Sequence, residues 1–331
     1  MLTDSRQVFP LFEPAADFHD VKDPCPVFNG KEWHLFGSGG STVTESWLIY
    51  HATAPALEGP WTEQSAINLG LSGSGVAAPG VLFSDGLFRM FIQTEFMNEG
   101  GTVEYLTSKD GFVWEHVGAA LHSIPGTSEH GIYDPHPAVV GGTCYIVYSG
   151  MPAGWPPKPD IYLAKSVTGT WEGPWLRLGR ILDHQAIAGH HNQHDAEDYE
   201  WGIEGAQLVE LPDGRVLLNA TSFLPIGARG SRQRVFFALA EDVAGPYRTC
   251  GPVLEPSCVG ENGHSTALLD GNDLILCFQT RLESTERRWR YGLASVSTDR
   301  ITLPVDARSQ EESPRDALPD ERIAPMLHSG S

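Results

Sequence analysis

A strand pattern that repeats five times constrains the fold of this chain more than any other feature. Each copy contains short segments rich in Val, Ile, Leu, Phe, Tyr, Trp and Thr, bounded by turn residues, which is typical of β-strands. The first two segments of each copy are joined by turn pairs such as Asn29-Gly30 and Asp85-Gly86, which favour tight hairpins. No stretch of 10–12 residues has the apolar periodicity of a helix. Repetition of such a multi-strand unit along the chain indicates a propeller or an array.

The copies are evenly spaced apart from one insertion. Their openings are separated by 55, 56, 70 and 60 residues and lie at Asp23, Ala78, Asp134, Glu204 and His264. The excess of about 14 residues lies at 183–201. We predict an all-β, five-bladed β-propeller with four antiparallel strands per blade over residues 1–305, followed by an irregular arm over 306–331. Each inner strand should begin at its opening residue, near a common axis, and Ile301–Val305 should be the outer strand of the fifth copy.

Composition excludes several classes of partner. The chain has 42 acidic and 22 basic residues, a formal net charge of −20, which argues against nucleic acid and against an anionic membrane surface. No run of 18 apolar residues occurs, and the first residues do not resemble a signal peptide. Five cysteines form no framework pattern, so reduced thiols are the default. These features predict a cytoplasmic protein.

The openings carry residues suited to acid–base chemistry. A propeller would bring three carboxylates, Asp23, Asp134 and Glu204, to one axis together with the His264 imidazole. Hydrolysis of a glycosidic bond needs one carboxylic acid to protonate the leaving oxygen and one carboxylate to activate water. A third carboxylate beside the acid would raise the pKa of that acid by like-charge repulsion.

Three of these motifs resemble those of a known family. The order Asp23-Pro24, Asp134-Pro135 and Glu204-Gly205 is similar to that of glycoside hydrolase family 43, which includes arabinanases, β-xylosidases and arabinofuranosidases. The resemblance covers about Asp23 to Val305. It implies that Asp23 is the general base, Asp134 the pKa modulator and substrate orienter, and Glu204 the general acid. It also implies inversion, with the base and acid carboxyls ~6.5–9.5 Å apart.

The resemblance has further implications and three departures. It implies a carbohydrate substrate, no cofactor for the chemistry, and a role for His264 in binding substrate or an axial calcium or sodium ion. The second copy reads Ala77-Ala78-Pro79 where the family has Trp-Ala-Pro, which removes a stacking wall. Ala206 replaces a proline after Glu204-Gly205, and the loop at 183–201 is inserted.

Other residues are candidates for binding. Phe18 and Trp201 are placed to stack on sugar rings, and Arg281 could bind hydroxyls or a carboxylate. The inserted loop contains His184, His190, His194 and several acidic residues, which suit a transition metal, with His190 and His194 as the candidate ligands. A polar, solvated loop beside the pocket explains the same residues, because their spacing matches no strong metal motif.

Three functions compete. The leading hypothesis is an inverting hydrolase of arabinose-type, xylose-type or related glycosides. The first alternative is a propeller of the same ancestry that has lost hydrolysis and binds carbohydrate or another small molecule, or catalyses a reaction of another class. The second is a metal-dependent enzyme that uses the His184–Asp198 loop. The sequence does not determine the sugar, the linkage, exo or endo action, or the oligomeric state.

Overall fold

The computed structural model describes residues 9–10, 18–41, 47–73, 75–95, 99–154, 158–190, 202–225, 231–254, 261–281 and 289–303. Within these ranges the chain forms five sheets of four antiparallel strands, which we call blades one to five. The predicted all-β class and the four-stranded repeat are confirmed.

The strands of the first three blades follow the chain in order. Blade one contains β2 (Phe18–Phe28), β3 (Trp33–Ser41), β4 (Trp47–Ala54) and β5 (Thr62–Glu63). Blade two contains β6 (Ala77–Ser84), β7 (Leu87–Gln93), β8 (Thr102–Ser108) and β9 (Glu115–His122). Blade three contains β10 (Gly131–Val140), β11 (Thr143–Met151), β12 (Asp160–Ser166) and β13 (Trp175–Leu182).

The fifth blade combines strands from both ends of the chain. Blade four contains β14 (Ile203–Glu210), β15 (Val216–Pro225), β16 (Ser231–Ala240) and β17 (Arg248–Pro252). Blade five contains β18 (Glu261–Asp270), β19 (Asp273–Arg281), β20 (Arg290–Ser297) and the short β1 (Phe9–Pro10). β1 pairs antiparallel with β20, with Phe9 opposite Leu293.

This arrangement corrects the expectation for the fifth copy. Ile301–Val305 was predicted as its outer strand, but residues 301–303 are not in a strand and follow a 3-10 helix at Thr298–Arg300. The place beside β20 is taken by β1 instead. A strand from the opposite end of the chain closes the ring, which a copy-by-copy comparison of the sequence does not reveal.

The inner strands form a closed ring. β2 contacts β6, β6 contacts β10, β10 contacts β14, β14 contacts β18, and β18 returns to β2. Five apolar clusters fill the five interfaces between neighbouring blades. Buried aliphatic side chains are the most numerous members, and fully buried aromatic side chains are the largest, for example Phe88, Phe91, Tyr148, Phe237 and Phe278. Each such side chain contributes about 1.5–3 kcal/mol when removed from water, so the blades are stabilised mainly by their neighbours.

Glycine–proline steps precede three outer strands, β5, β13 and β17. Gly59-Pro60, Gly173-Pro174 and Gly245-Pro246 all have cis peptide bonds. At Gly173, φ is +81°, and an added Cβ would lie 2.9 Å from the Trp175 ring. Only glycine combines that φ with the close approach of the aromatic side chain two residues later.

The inserted segment begins as a short helix. Residues His184–His190 form a 3-10 helix that contacts β17, whereas the sequence pattern predicts only a loop. Residues 191–201, including His194 and Trp201, lie outside the described residues. Among the described residues, no helix has the length and apolar character needed to cross a membrane.

Candidate active site

Every inner strand carries a β-bulge at the point where the sequence copies were expected to begin. The strands in fact start earlier: β2 begins at Phe18, and its register with β3 shifts between Lys22 and Cys25. The other four inner strands shift in the same way. A bulge redirects side chains locally, and here it turns one residue of each blade towards the axis.

The residue at each bulge has left-handed backbone geometry. Its φ lies between +34° and +61° at Asp23, Ala78, Asp134, Gly205 and His264. In each case the backbone N–H donates to a buried side-chain oxygen on the second strand of the preceding blade. The donor–acceptor pairs are Asp23 and Gln279 at 2.9 Å, Ala78 and Ser38 at 2.7 Å, Asp134 and Gln93 at 2.8 Å, Gly205 and Ser149 at 3.2 Å, and His264 and Thr221 at 2.6 Å. These five bonds satisfy the donors that the bulges remove from the sheet ladders.

Glu204 lies one residue earlier than the other three predicted site residues. Gly205, not Glu204, occupies the left-handed position of blade four, and Glu204 pairs with Thr221 just before the bulge. The equivalent positions elsewhere are Lys22, Ala77, Tyr133 and Gly263. The sequence analysis placed Glu204 in the same phase as Asp23 and Asp134, which is wrong by one residue.

The four predicted residues nevertheless meet at one place. His264 Nδ1 lies 2.9 Å from Asp23 Oδ1 and 3.9 Å from Asp134 Oδ2. His264 Nε2 lies 2.6 Å from Glu204 Oε1. Asp23 and Glu204 therefore face opposite nitrogens of one imidazole ring. Chain segments separated by up to 241 positions supply these groups, and the ring of inner strands brings them together.

The second oxygens of Asp23 and Glu204 have partners of their own. Ser38 Oγ donates to Asp23 Oδ2 at 2.5 Å, and Tyr133 Oη donates to Glu204 Oε2 at 3.2 Å. Asp134 Oδ2 is buried and has no hydrogen-bond partner among the described residues. The two carboxylates are therefore held in fixed orientations, while one oxygen of the third is left for another group.

Burial and mutual charge shift the pKa values of this cluster in opposite directions. Burial disfavours a charged His264, but Asp23, Asp134 and Glu204 raise its pKa well above the ordinary value. Burial, reinforced by Glu204 and Asp23, raises the pKa of Asp134 well above its usual range against the attraction of His264. Burial also opposes ionisation of Asp23, yet His264, Ser38 and Lys22 hold its pKa below the ordinary value. These directions favour a charged His264, an ionised Asp23 and a protonated Asp134.

An axial cavity lies against this cluster. Its volume is about 40 Å³, and its lining includes Asp23, Asp134 and His264, so it has room for water or a small ion. Asp134, Glu204 and His264 place ligand atoms within 4.8 Å of one another, a spacing that could hold a metal ion. The ring nitrogens of His264 also face the carboxylates of Asp23 and Glu204, which hold the imidazole in place. The calcium or sodium ion expected near His264 stays a prediction.

Two other predicted residues lie in the described part of the chain but not in the cluster. Arg281 pairs with the buried Glu261, with Nη2 2.9 Å from Oε1 and Nε 3.0 Å from Oε2, and its guanidinium stacks on Trp289. Phe18 begins β2. The side chains of Phe18 and His190, and all of Trp201 and His194, lie outside the described residues. The stacking and metal roles expected for them stay predictions.

The described end of the inserted segment forms an ion-pair network. His184 Nδ1 lies 2.6 Å from Asp160 Oδ1, and Arg180 Nη1 lies 3.0 Å from Asp160 and 2.9 Å from Asp183. Two carboxylates and an imidazole at this spacing could ligate a metal. Arg180 pairs with both carboxylates and His184 contacts Asp160, so these contacts are explained as an ion-pair network without an ion.

Sequence reasoning missed three residues beside the cluster: Lys22, Ser38 and Tyr133. Lys22 and Tyr133 directly precede the Asp-Pro steps of blades one and three. Their place in the sequence gives a signal only when the bulge is known, because the bulge decides which neighbour of each Asp faces the site. Ser38 lies on the second strand and gives no sequence signal beyond its burial.

Three solved structures with the same architecture are glycoside hydrolases. A thermostable family-43 glycoside hydrolase superposes with a TM-score of 0.62 and 14% identity, covering 83% of this chain and 88% of that one. The native arabinanase of Bacillus subtilis has a TM-score of 0.63 and 15% identity, covering 85% of this chain and 95% of that one. The catalytic domain of the Coprinopsis cinerea family-62 α-L-arabinofuranosidase has a TM-score of 0.64 and 16% identity, covering 89% of this chain and 98% of that one.

The fold is a family-43-like five-bladed propeller. The resemblance inferred from the Asp-Pro and Glu-Gly motifs is therefore confirmed at the level of fold. No family model matches the chain, and no curated protein is significantly similar to it. Since fold alone does not fix activity, the function has to be argued from the site.

Proposed function

We propose that this protein is a glycoside hydrolase that acts on pentose-type or related glycosides by a single displacement with inversion. The observation that carries the proposal is the convergence of Asp23, Asp134 and Glu204 around His264, at one end of a closed ring of strands. The similarity in fold to glycoside hydrolases supports it. Carbohydrate is the expected partner, and the chemistry requires no cofactor.

Asp23 is suited to the role of general base. Its carboxylate is ionised and fixed by Ser38 and His264, so it can accept a proton from water as the water attacks the anomeric carbon. Its side chain is 16% exposed, twice the value of Glu204, which gives water access to it. Asp134 contributes a neutral carboxyl group that can hydrogen-bond to a sugar hydroxyl through the unpartnered Oδ2.

Glu204 is suited to the role of general acid. Oε1 is held by a hydrogen bond from His264 Nε2 at 2.6 Å. Oε2 has only the longer bond from Tyr133, at 3.2 Å, so a proton carried on Oε2 can pass to a leaving oxygen once that bond is released. The imidazole between Asp23 and Glu204 keeps the two carboxyls from direct contact, as inversion requires when water must fit beside the base.

Two substitutions test the proposal. We expect Glu204→Gln and Asp23→Asn to lower kcat/KM by about 10²–10⁴-fold, because each removes one proton-transfer group. The assay uses aryl α-L-arabinofuranosides and β-D-xylosides and the corresponding oligosaccharides. NMR of the first product anomer, with the wild type, tests inversion. Glu241→Gln, at an exposed position directly after β16, is the matched control and should retain wild-type activity.

Two results would contradict this mechanism. If either variant keeps more than a tenth of wild-type turnover, the assigned acid–base pair is wrong. If the product retains its anomeric configuration, the single displacement is wrong even when the residues are right.

A second candidate is a carbohydrate-binding propeller that has lost hydrolysis. Two observations favour it: Ala77 stands where the family has tryptophan, and both oxygens of Asp23 and of Glu204 are engaged by neighbouring side chains. Binding of an arabinoside, xyloside or galactoside by the wild type, without turnover of any of them, would establish this candidate in place of the first. The metal-dependent alternative predicts a stoichiometric transition metal in purified protein, which elemental analysis would detect. The same measurement tests the axial calcium or sodium ion.

A further inference from the structure

A lysine at the edge of the candidate site has an unusual environment for so acidic a chain. Lys22 directly precedes Asp23 and occupies the pre-bulge position of blade one, equivalent to Glu204 in blade four. Tyr291 Oη donates to its carbonyl oxygen at 2.9 Å, which fixes the backbone from which the side chain projects. The ammonium is close enough to Asp23 to help hold the pKa of that carboxyl down. Lys22 therefore lies on the side of the site where the general base activates water.

Two indoles surround the ammonium. Nζ lies 5.2 Å from the ring centroid of Trp47 and 5.6 Å from that of Trp289, both within the range of cation–π attraction. Trp47 is 38% exposed, so part of its indole is open to solvent. The pre-bulge position of the next blade, blade two, is occupied by Ala77, whose side chain ends at Cβ.

Lys22 differs from the neighbouring cation Arg281 in its ion-pair partners, which leaves the Lys22 ammonium able to bind an anion. Both cations approach Trp289, Arg281 at 4.7 Å from its ring centroid. Arg281 is neutralised by two hydrogen bonds to the buried Glu261 carboxylate. Among the described residues, no carboxylate oxygen lies within ion-pair distance of Lys22. A half-buried ammonium with aromatic neighbours, and with no described carboxylate within ion-pair distance, is suited to receive an anion from a ligand.

We propose that Lys22, Trp47 and Trp289 form a subsite for a sugar that carries a carboxylate, that is, a uronic acid within the substrate. The inference rests on the proposed carbohydrate function of the site and adds the substrate class. The ammonium pairs with the carboxylate, and the exposed indole of Trp47 stacks on a sugar ring. The subsite lies beside Asp23, on the base side of the bond to be cleaved.

Direct binding tests this subsite without relying on turnover. Calorimetry compares glucuronate with glucose and galacturonate with galactose, using wild type, Lys22→Met and Lys22→Arg. We expect each uronate to bind wild type about tenfold to hundredfold more tightly than its neutral parent, the effect of one charge-assisted hydrogen bond. Lys22→Met keeps the aliphatic stem beside the indoles and should abolish the preference, while Lys22→Arg should retain most of it. Lys31→Met, an exposed lysine in the turn at the other end of β2, is the control and should bind like wild type.

The outcomes separate this inference from the proposed function. Equal affinity for uronate and neutral sugar, or a preference that survives in Lys22→Met, overturns the subsite whether or not the protein hydrolyses glycosides. Tighter binding of glucose 6-phosphate than of glucuronate overturns the assignment to a carboxylate. A Lys22-dependent preference for uronates in a protein that cleaves no glycoside supports the subsite and rejects only the hydrolase.

Discussion

At the scale of single residues, His264 makes the site possible. Three carboxylates in one buried place repel one another, and burial penalises each charge. The structure offsets this with one imidazolium and with a proton on Asp134. His264 is thus the counterion of the cluster in addition to any role in proton supply.

The pH dependence of this contribution has a definite sign. The folded-state pKa of His264 is raised, so its stabilisation is fully present below about 6.5 and is lost as pH rises through the folded value. The folded-state pKa of Asp23 is lowered, so its stabilisation is present above about 3.8 and is lost as pH falls through the folded value. The ion pair between them is therefore at full strength between roughly pH 4 and 6.5.

We expect His264→Asn to lower the free energy of unfolding by about 3–5 kcal/mol near pH 5.5, because it leaves buried carboxylates without their cation. The difference from wild type should shrink at pH 3 and again in alkali above the raised pKa. Urea unfolding at several pH values measures it. The exposed His122→Asn is the control, and a pH-independent difference would contradict the counterion role.

At the scale of secondary-structure elements, the five bulges are the devices that build the site. A regular strand would direct alternate side chains to the two faces of a blade. The bulge instead turns one residue to the axis, and the preceding blade accepts its N–H. Each blade thereby positions the functional residue of the next: Gln93 of blade two holds Asp134, and Thr221 of blade four holds His264.

Thr221→Val tests this coupling between blades. Valine keeps the shape of the buried side chain but leaves the His264 N–H without an acceptor. We expect a loss of about 1–3 kcal/mol in the free energy of unfolding. Thr62→Val, at an exposed position in β5, should change stability by less than about 0.5 kcal/mol. Equal effects of the two substitutions would show that the bond to His264 is energetically unimportant.

The strands and turns could be predicted from the sequence, but the geometry of the bulges could not. The hairpin turns and the strand content were recognisable, because both depend on residues adjacent in the chain. The position of Glu204 relative to the bulge was not recognisable, since Gly205 rather than a polar residue takes the left-handed position. Lys22 and Tyr133 were missed for the same reason. Which side chain a bulge turns inward depends on pairing with the next strand, which is information that a single strand does not contain.

At the scale of the whole molecule, the ring closes through β1. The sequence predicted five blades but assigned the last strand to Ile301–Val305, since it compared each copy only with its neighbours along the chain. In the structure β1 covers the outer edge of β20. An uncovered edge presents unpaired backbone groups that favour association with other chains.

Removal of β1 should therefore weaken the fifth blade. We expect deletion of residues 1–10 to cost about 1–3 kcal/mol in hydrogen bonds and to promote self-association. Deletion of residues 1–8, which keeps Phe9–Pro10, is the matched control. Denaturant unfolding and light scattering compare the two. Identical behaviour of both truncated proteins would mean that β1 has no part in closing the ring.

The position of β1 has a consequence for biosynthesis. Residues 9–10 are synthesised about 280 residues before their partner β20 (Arg290–Ser297). β1 therefore stays unpaired until β20 has been made, and blade five cannot be completed earlier. Contacts so distant along the chain form slowly, and this interval is when the polypeptide is most exposed to chaperones and to misassembly.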